Sequence, residues 1–402
     1  MKLALPITAT RGQGIDPTAF MRDEPYTQFQ TWLGDVAGME GCPIDCKYCF
    51  FQLDGKTPAA PQASLSPHDL VKALSKQLTY IPKMPVNFGS QTDIFSTQRT
   101  TDYYREVLAL YEASSYTNPI VLITKKRIPD DFLEQVAHSR KTTVFFLSYS
   151  GLAGSAIEPN VSPEDQEENF FRASKRGVKC VHYWRPFLPQ NASPDVLHQV
   201  LSIVSPHALC SVVNGLRLNS GIRENVLPFW PELAQIGNDF AQIGEVWPSG
   251  TREALHSLST TAFPSYPVFF GNTPCALAYA IGQSNPQGLY GGKMCHMSNC
   301  PEGQRQSCFH SLRVPDMQDI TRACAAVQLD PSSCEITNAC VYVRAKVSLA
   351  QITFLKTALQ FPVTHADRLS YEGGHNWAYI QDDNISEIPW IPFSPSSHAH
   401  TS

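Results

Sequence analysis

Two alternating patterns run from residue 66 to about residue 220. Short stretches of β-branched and aromatic residues are each followed by a longer stretch whose apolar side chains recur at helical spacing. "SPHDLVKALSKQLTYI" opens the series, with Ser66 placed as an N-cap, Pro67 at the first helical position, and Leu70, Val71, Leu74 and Leu78 along one face. A strand in "MPVNFGSQTD" follows, then helix "TDYYREVLALYEA", strand "PIVLITK", helix "PDDFLEQVAHSR" and strand "TTVFFLSYS". Helix "SPEDQEENFFRASKRG" repeats the Ser-Pro start at Ser162 and Pro163 and stops at Gly177. Strand "VKCVHYWRPF", helix "SPDVLHQVLSIV" and strand "ALCSVVNGLRL" complete the series, and an earlier strand lies in "QTWLGDVAG".

Counting the less regular segment after the last strand, these are six β–loop–α units. Strands that alternate with helices pair in parallel with helices over the sheet. The expected fold is therefore α/β, a partial (βα)6 TIM-type barrel, with an open doubly wound sheet as the other closure. In both, binding groups belong on loops at the C-terminal ends of strands. The polar residues follow that rule: Ser90-Gln91-Thr92-Asp93, Lys125, Ser148 and Ser150, Arg185, and Arg217 with Asn219 stand at successive strand ends.

The pattern divides the chain into an N-terminal extension (1–30), the barrel (31–220), an irregular Pro- and Trp-rich connection with a cysteine group (221–312), a small α+β region (313–390) and a disordered tail (391–402). In the α+β region a helix from about 315, a strand in "CEITNACVYVRAKV", a helix in "SLAQITFLKTALQ" and a strand near "NWAYI" are expected.

Composition narrows the class. Of 402 residues, 43% are hydrophobic and 17% charged, enough for a buried core, and the net charge of −5 argues against broad electrostatic binding of nucleic acid. "MKLALPITATRGQG" is too short and too interrupted for a signal peptide, and no apolar stretch approaches the ~20 residues that span a bilayer. No membrane contact and a cytoplasmic setting are expected, where twelve cysteines read as thiols or metal ligands.

Cys180 and Cys210 stand alone in apolar runs and read as core thiols, while Cys324, Cys334 and Cys340 lack convergent ligand spacing. Cys42, Cys46 and Cys49, in contrast, crowd into one loop, "GMEGCPIDCKYCFFQLDG". A structural zinc site takes four protein ligands, and a four-iron cube has four corners. Three thiols beside Gly41 and Pro43 suggest a cube with one iron left open. The C-x3-C-x2-C spacing after a first strand resembles that of radical S-adenosylmethionine (SAM) enzymes. The resemblance implies a 4Fe–4S cluster on Cys42, Cys46 and Cys49, SAM chelated at the open iron, and reductive cleavage of SAM to a 5′-deoxyadenosyl radical that abstracts hydrogen from an organic substrate. Tyr48 falls where the family places an aromatic near the adenine.

"VNFGSQTDIFS", "PIVLITKK", "FFLSYSG", "IEPNVSPEDQEENFFRASKRGVK" and "RPFLPQ" are similar in order and spacing to the spore photoproduct lyase-like branch, over roughly residues 32–215. That resemblance implies that Ser90 contacts SAM, Lys125 its carboxylate, and Ser148 or Ser150 its ribose or amino group. Asp93, Glu158 and Arg185 fall in the same frame. Bland roles stand beside these: Ser90 and Asp93 as helix caps, Lys125 solvated, and Arg185 paired with Glu158. The likeness also fails in one place. The lyase has a cysteine beside its SAM-binding serine, whereas this chain reads "NFGSQTD", and Phe50 replaces a tyrosine of the lyase's hydrogen-transfer relay.

Cys275, Cys295, Cys300 and Cys308 form a second group, with gaps of 19, 4 and 7 residues. A second, auxiliary 4Fe–4S cluster is the reading taken, with zinc or a metal-free core as the others. The expected function is radical SAM chemistry on a small metabolite, peptide or nucleoside, with a flavodoxin or ferredoxin supplying electrons and a hydrogen donor near Tyr149, Tyr183 or the second cysteine group. A DNA lesion lyase is the enzymatic alternative, and a non-catalytic metal-stabilised binding protein the other.

Overall fold

A computed structural model describes residues 32–34, 38–49, 51, 55, 57–77, 80–236, 245–285, 299–311, 313–336, 341–361 and 363–365. In chain order its elements begin with β1 (Leu33–Gly34), the short antiparallel pair β2 (Met39–Glu40) and β3 (Gln62–Ala63), and α1 (Pro67–Ala73). There follow β4 (Val86–Phe88), α2 (Gln98–Ala113), β5 (Ile120–Thr124), α3 (Asp130–Ala137), β6 (Thr143–Ser148), α4 (Pro163–Lys175), β7 (Lys179–Trp184), α5 (Pro194–Val204) and β8 (Ser211–Val213). β9 (Leu216–Arg217), α6 (Ser220–Val226), β10 (Glu245–Val246), α7 (Thr251–Thr261), β11 (Val268–Phe270), α8 (Thr273–Ile281) and α9 (Glu302–His310) come next. The chain closes with α10 (Met317–Ala326), β12 (Cys334–Ile336), β13 (Val341–Val343), α11 (Leu349–Leu359) and β14 (Val363–His365).

One seven-stranded sheet runs β1-β4-β5-β6-β7-β8-β11 with every pairing parallel. Neighbours in sequence are neighbours in space, the order of a partial TIM-type barrel. The α/β class and the first six strands are as expected. The seventh strand was not foreseen: β11 pairs with β8, so the sheet continues into the stretch read as an irregular connection. Three residues between Pro267 and Gly271 carry too short a periodicity to register as a strand, and only pairing with β8 makes them one.

The Ser-Pro starts form as anticipated. Ser66, Ser162 and Ser193 each accept a hydrogen bond from the backbone N–H three residues on, and Gly177 ends α4's turn at φ +68°, a region open to glycine at little cost. α1 is shorter than its apolar stripe, tightening to a 3-10 turn over Leu74–Lys76, and Leu78 lies outside the described residues.

Because strand side chains alternate, the sheet has two apolar faces. Phe145, Leu147, Trp184 and Val213 meet the outer helices, represented by Tyr104, Phe132, Phe170 and Leu197. Val144, Phe146, Tyr183, Val212 and Phe269 face inward and pack with Ala276, Leu277 and Ala280 of α8. A helix after the last strand thus covers the concave face.

The C-terminal region has its own core. β12 pairs antiparallel with β13, and β14 parallel with it, while Ile320, Ala323, Ile352 and Leu355 of α10 and α11 cover this small sheet. The stretch expected as one strand is two, and the third strand is β14; the segment near "NWAYI", residues 1–30 and the tail 391–402 lie outside the described residues. Among the described residues no helix is long and apolar enough to cross a membrane.

Candidate metal and cofactor site

The three-cysteine loop leaves β2 at Gly41, whose φ of +98° and a virtual Cβ 2.7 Å from the Ala60 carbonyl oxygen both require glycine. Every turn of the loop is held from outside. The Thr92 hydroxyl donates to the Gly41 carbonyl at 2.6 Å, and Ala59 N–H donates to the Cys42 carbonyl at 3.1 Å. The Asn160 amide reaches the carbonyls of Pro43 and Ile44 at 3.4 and 3.3 Å, and Lys47 N–H donates to the Ile157 carbonyl at 3.0 Å. Asp45 takes a positive φ of 62°, which lets the chain reverse between the first two thiols. Ile44 and Cys46 pack with Val161, and Cys42, Tyr48, Cys49 and Ala153 close around them.

The thiols feel one another. Burial pushes Cys42 up to about 11, helped by the negative charge of Asp93 and by Cys49. Burial raises Cys46 further; Lys125 opposes this, while Glu158, Cys49 and Cys42 add to it. Cys49 is raised by burial and eased by the Phe51 backbone, Lys125 and Arg185. Thiols raised in this way must shed protons when they ligate a metal. Among the described residues no three His, Cys, Asp or Glu side chains gather where a single ion could be held. One tetrahedral ion draws its sulfurs to about 2.3 Å from a common point. A four-iron cube takes one thiol per iron.

Facing the loop is a buried polar cluster. Oε1 of Glu158, wholly buried, accepts from the Tyr48 hydroxyl, from Lys125 Nζ at 3.0 Å and from the Ser150 hydroxyl at 2.8 Å. Oε2 is also buried and has no partner. Burial pushes Glu158 up, to about 8, and Lys125 down. The Lys125 ammonium also lies 5.3 Å over the Tyr48 ring, a cation–π contact. Arg185 does not pair with Glu158. Its guanidinium stacks 3.9 Å over the Tyr183 ring, and its charge bears on Cys49 and Lys125.

Asp93 joins the strand ends. Oδ1 accepts from Phe95 N–H at 3.0 Å and the Thr124 hydroxyl at 2.9 Å, and Oδ2 accepts from Lys125 N–H at 2.7 Å. Both oxygens are engaged by the protein, so Asp93 fixes where Lys125 leaves β5. Ser90 is half-buried after Gly89, and Ser148 ends β6 on the inward face, its carbonyl accepting from Gln166 at 2.6 Å. Tyr149 points the other way: its hydroxyl donates to Glu167 at 2.7 Å within the outer core. Tyr183 is on the inward side. Phe50 lies outside the described residues.

Cys42, Cys46, Cys49, Tyr48, Lys125, Ser150, Glu158 and Arg185 are therefore brought together from four separate stretches. Asn160 was missed by sequence reasoning. It stands in "EPNVSP", where an amide between two prolines is the residue type that bridges loop carbonyls, yet nothing in its spacing names its target.

The second cysteine group is partly in view. Asn285 N–H donates to Cys308 Sγ at 3.1 Å, Asn285 Nδ2 to Cys275 Sγ at 3.7 Å, and Gln304 Nε2 to Cys308 Sγ at 3.5 Å. Cys275 and Cys300 pack in the same inward-facing apolar cluster, and Cys295 lies outside the described residues.

No protein-family model matches the chain, and no curated protein matches it. Among solved structures, spore photoproduct lyase complexed with dinucleoside spore photoproduct is 13% identical, covering 65% of this chain and 87% of that one with a TM-score of 0.45. A variant of that lyase with bound AdoMet and dinucleoside spore photoproduct is 14% identical, covering 60% and 78% with a TM-score of 0.44. Streptococcus suis SuiB is 16% identical, covering 48% and 41% with a TM-score of 0.37.

Proposed function

We propose that this chain is a radical SAM enzyme with a 4Fe–4S cluster on Cys42, Cys46 and Cys49, acting on an organic substrate. The observation that carries the reading is the apposition of a three-thiol loop to a Lys125–Glu158–Tyr48 cluster, buried at Glu158, with Arg185 beside it. When bound, the cluster and SAM supply one-electron cleavage of the sulfonium and a carbon-centred radical that removes hydrogen from the substrate.

The protein's own residues fit those groups. Lys125 and Arg185 place positive charge beside the thiols, which favours their ionised form and attracts a carboxylate. The orphaned Oε2 of Glu158 is a buried acceptor in want of a donor, and an ammonium or hydroxyl group of the cofactor meets that need. Ile44 and Val161 pack against the buried Cys46. Tyr48 and Ser150 hold the carboxylate of Glu158 toward the loop from either side.

The second cluster belongs to the same proposal. Asn285 and Gln304 aim three N–H donors at Cys275 and Cys308, the outer hydrogen bonding that supports sulfur ligands to iron. A flavodoxin or ferredoxin is the proposed reductant. The DNA lesion lyase reading stays second, since a thiol beside Ser90 is missing.

The test is anaerobic reconstitution with iron and sulfide, followed by SAM and dithionite. Formation of 5′-deoxyadenosine is expected, and it is lost in Cys46→Ala. A colourless protein, or one holding only zinc, overturns the reading. Iron near about eight per chain, falling to about four in Cys308→Ala, supports the second cluster, and about four in both removes it.

A further inference from the structure

In the small C-terminal module two thiols meet. Cys324 Sγ lies 3.6 Å from Cys334 Sγ, and the two form no disulfide. Cys324 is in the last turns of α10, fully enclosed by the module's core, whereas Cys334 opens β12 and is partly exposed. The Cys324 carbonyl accepts from Val327 N–H at 3.1 Å and from Leu329 N–H at 2.9 Å, which folds the chain back at the helix end. Asp330 then caps the following turn, accepting from Ser332 N–H at 2.9 Å, and Ser333 is pinned through its carbonyl to Arg344 N–H at 2.9 Å. The backbone on each side of the pair is thus hydrogen-bonded into place, so the apposition is part of the fold.

We infer that Cys324 and Cys334 are a dithiol–disulfide site, with Cys334 the entry thiol, Cys324 the resolving thiol, and a small-molecule disulfide the oxidant. The reaction balances as two exchanges. The Cys334 thiolate attacks one sulfur of the small disulfide, forms a mixed disulfide and expels one small thiolate. The Cys324 thiolate then attacks the Cys334 sulfur, forms the internal bond and expels the second small thiolate. One electron pair passes from the protein to the oxidant, and the two protein protons end on the two small thiols. Closing the sulfurs to the ~2.05 Å bond needs only about 1.5 Å of side-chain movement. The order of attack follows exposure: a bulky disulfide reaches Cys334, and only its neighbour reaches the enclosed sulfur. The site is independent of the proposed radical chemistry, and its oxidation state ties α10 to β12.

Peptide mapping of the full-length protein tests this. The chain is treated anaerobically with glutathione disulfide, blocked with iodoacetamide and cut with trypsin and a glutamate-specific protease. Cuts after Arg322 and Glu335 release residues 323–335, which carry Cys324 and Cys334 but not Cys340. The expected peptide is two hydrogens lighter than its reduced form, unalkylated, and restored by dithiothreitol. Cys324→Ala leaves a stable glutathione adduct on Cys334, and Cys334→Ala leaves Cys324 unmodified and still a thiol. Alkylation of both thiols after oxidant, a bond from either to Cys340, or iron or zinc lost from the protein in Cys334→Ala each overturns the inference.

Discussion

Lys125 Nζ meets Glu158 Oε1 at 3.0 Å, and the carboxylate it meets is wholly enclosed. The two residues come from different strand ends, 33 positions apart, and each is costly to bury without the other. Their contact locks the loop after β5 to the loop after β6, directly beneath the cysteines.

Removing one partner should therefore cost far more than removing both. Lys125→Met removes the ammonium facing Glu158 and should destabilise the metal-free chain by about 3 kcal/mol above pH about 8, where that acid ionises, and by less at neutral pH. Adding Glu158→Gln to the same chain should recover most of that loss. Denaturant midpoints of the two single variants and the double variant check it, and simple additivity would mean the residues are not coupled.

Asn160 supports the cysteine loop without belonging to it. Asn160→Ala removes both amide contacts to the Pro43 and Ile44 carbonyls and should lower iron affinity or 5′-deoxyadenosine formation about 10- to 100-fold, the usual cost of losing an outer support at a metal site. Iron titration against a chelator reads it, with the fold monitored by circular dichroism.

Gly89 turns the chain from β4 toward Ser90 at φ +78°, and an added Cβ would fall 2.1 Å from Ile94 Cγ2. Gly89→Ala combines backbone strain with a collision in the core and should cost roughly 1–3 kcal/mol. A thermal melt unchanged from the parent would contradict the packing described.

His182 makes stability depend on pH. It is buried, with Nδ1 2.9 Å from the Ser211 hydroxyl and Nε2 2.8 Å from the Tyr149 carbonyl, and burial holds it down to about 4 against an ordinary 6.5. The unfolded chain therefore takes up the proton first as pH falls. The stability this group contributes is complete above 6.5 and drains away between 6.5 and about 4, by up to about 3 kcal/mol. Unfolding of the parent should weaken over that window, and His182→Gln should flatten that part of the profile.

The sequence alone determined the local code: three Ser-Pro helix starts, the five helices between the barrel strands, six strands of a parallel sheet and a loop with one thiol fewer than a closed metal site needs. Each of these is settled by neighbours within a few positions, through propensity, capping and periodicity. Tertiary structure decided what depends on distant partners. β11 is a strand because β8 offers it a free edge, α8 covers the concave face because that face is apolar, and Glu158 pairs with Lys125 while Arg185 stacks on Tyr183. The same holds for Tyr149 turning outward and Asn160 gripping the cysteine loop. A side chain's choice between two oppositely charged or hydrogen-bonding partners turns on ångström-scale approach across the fold, and no spacing along the chain encodes that distance.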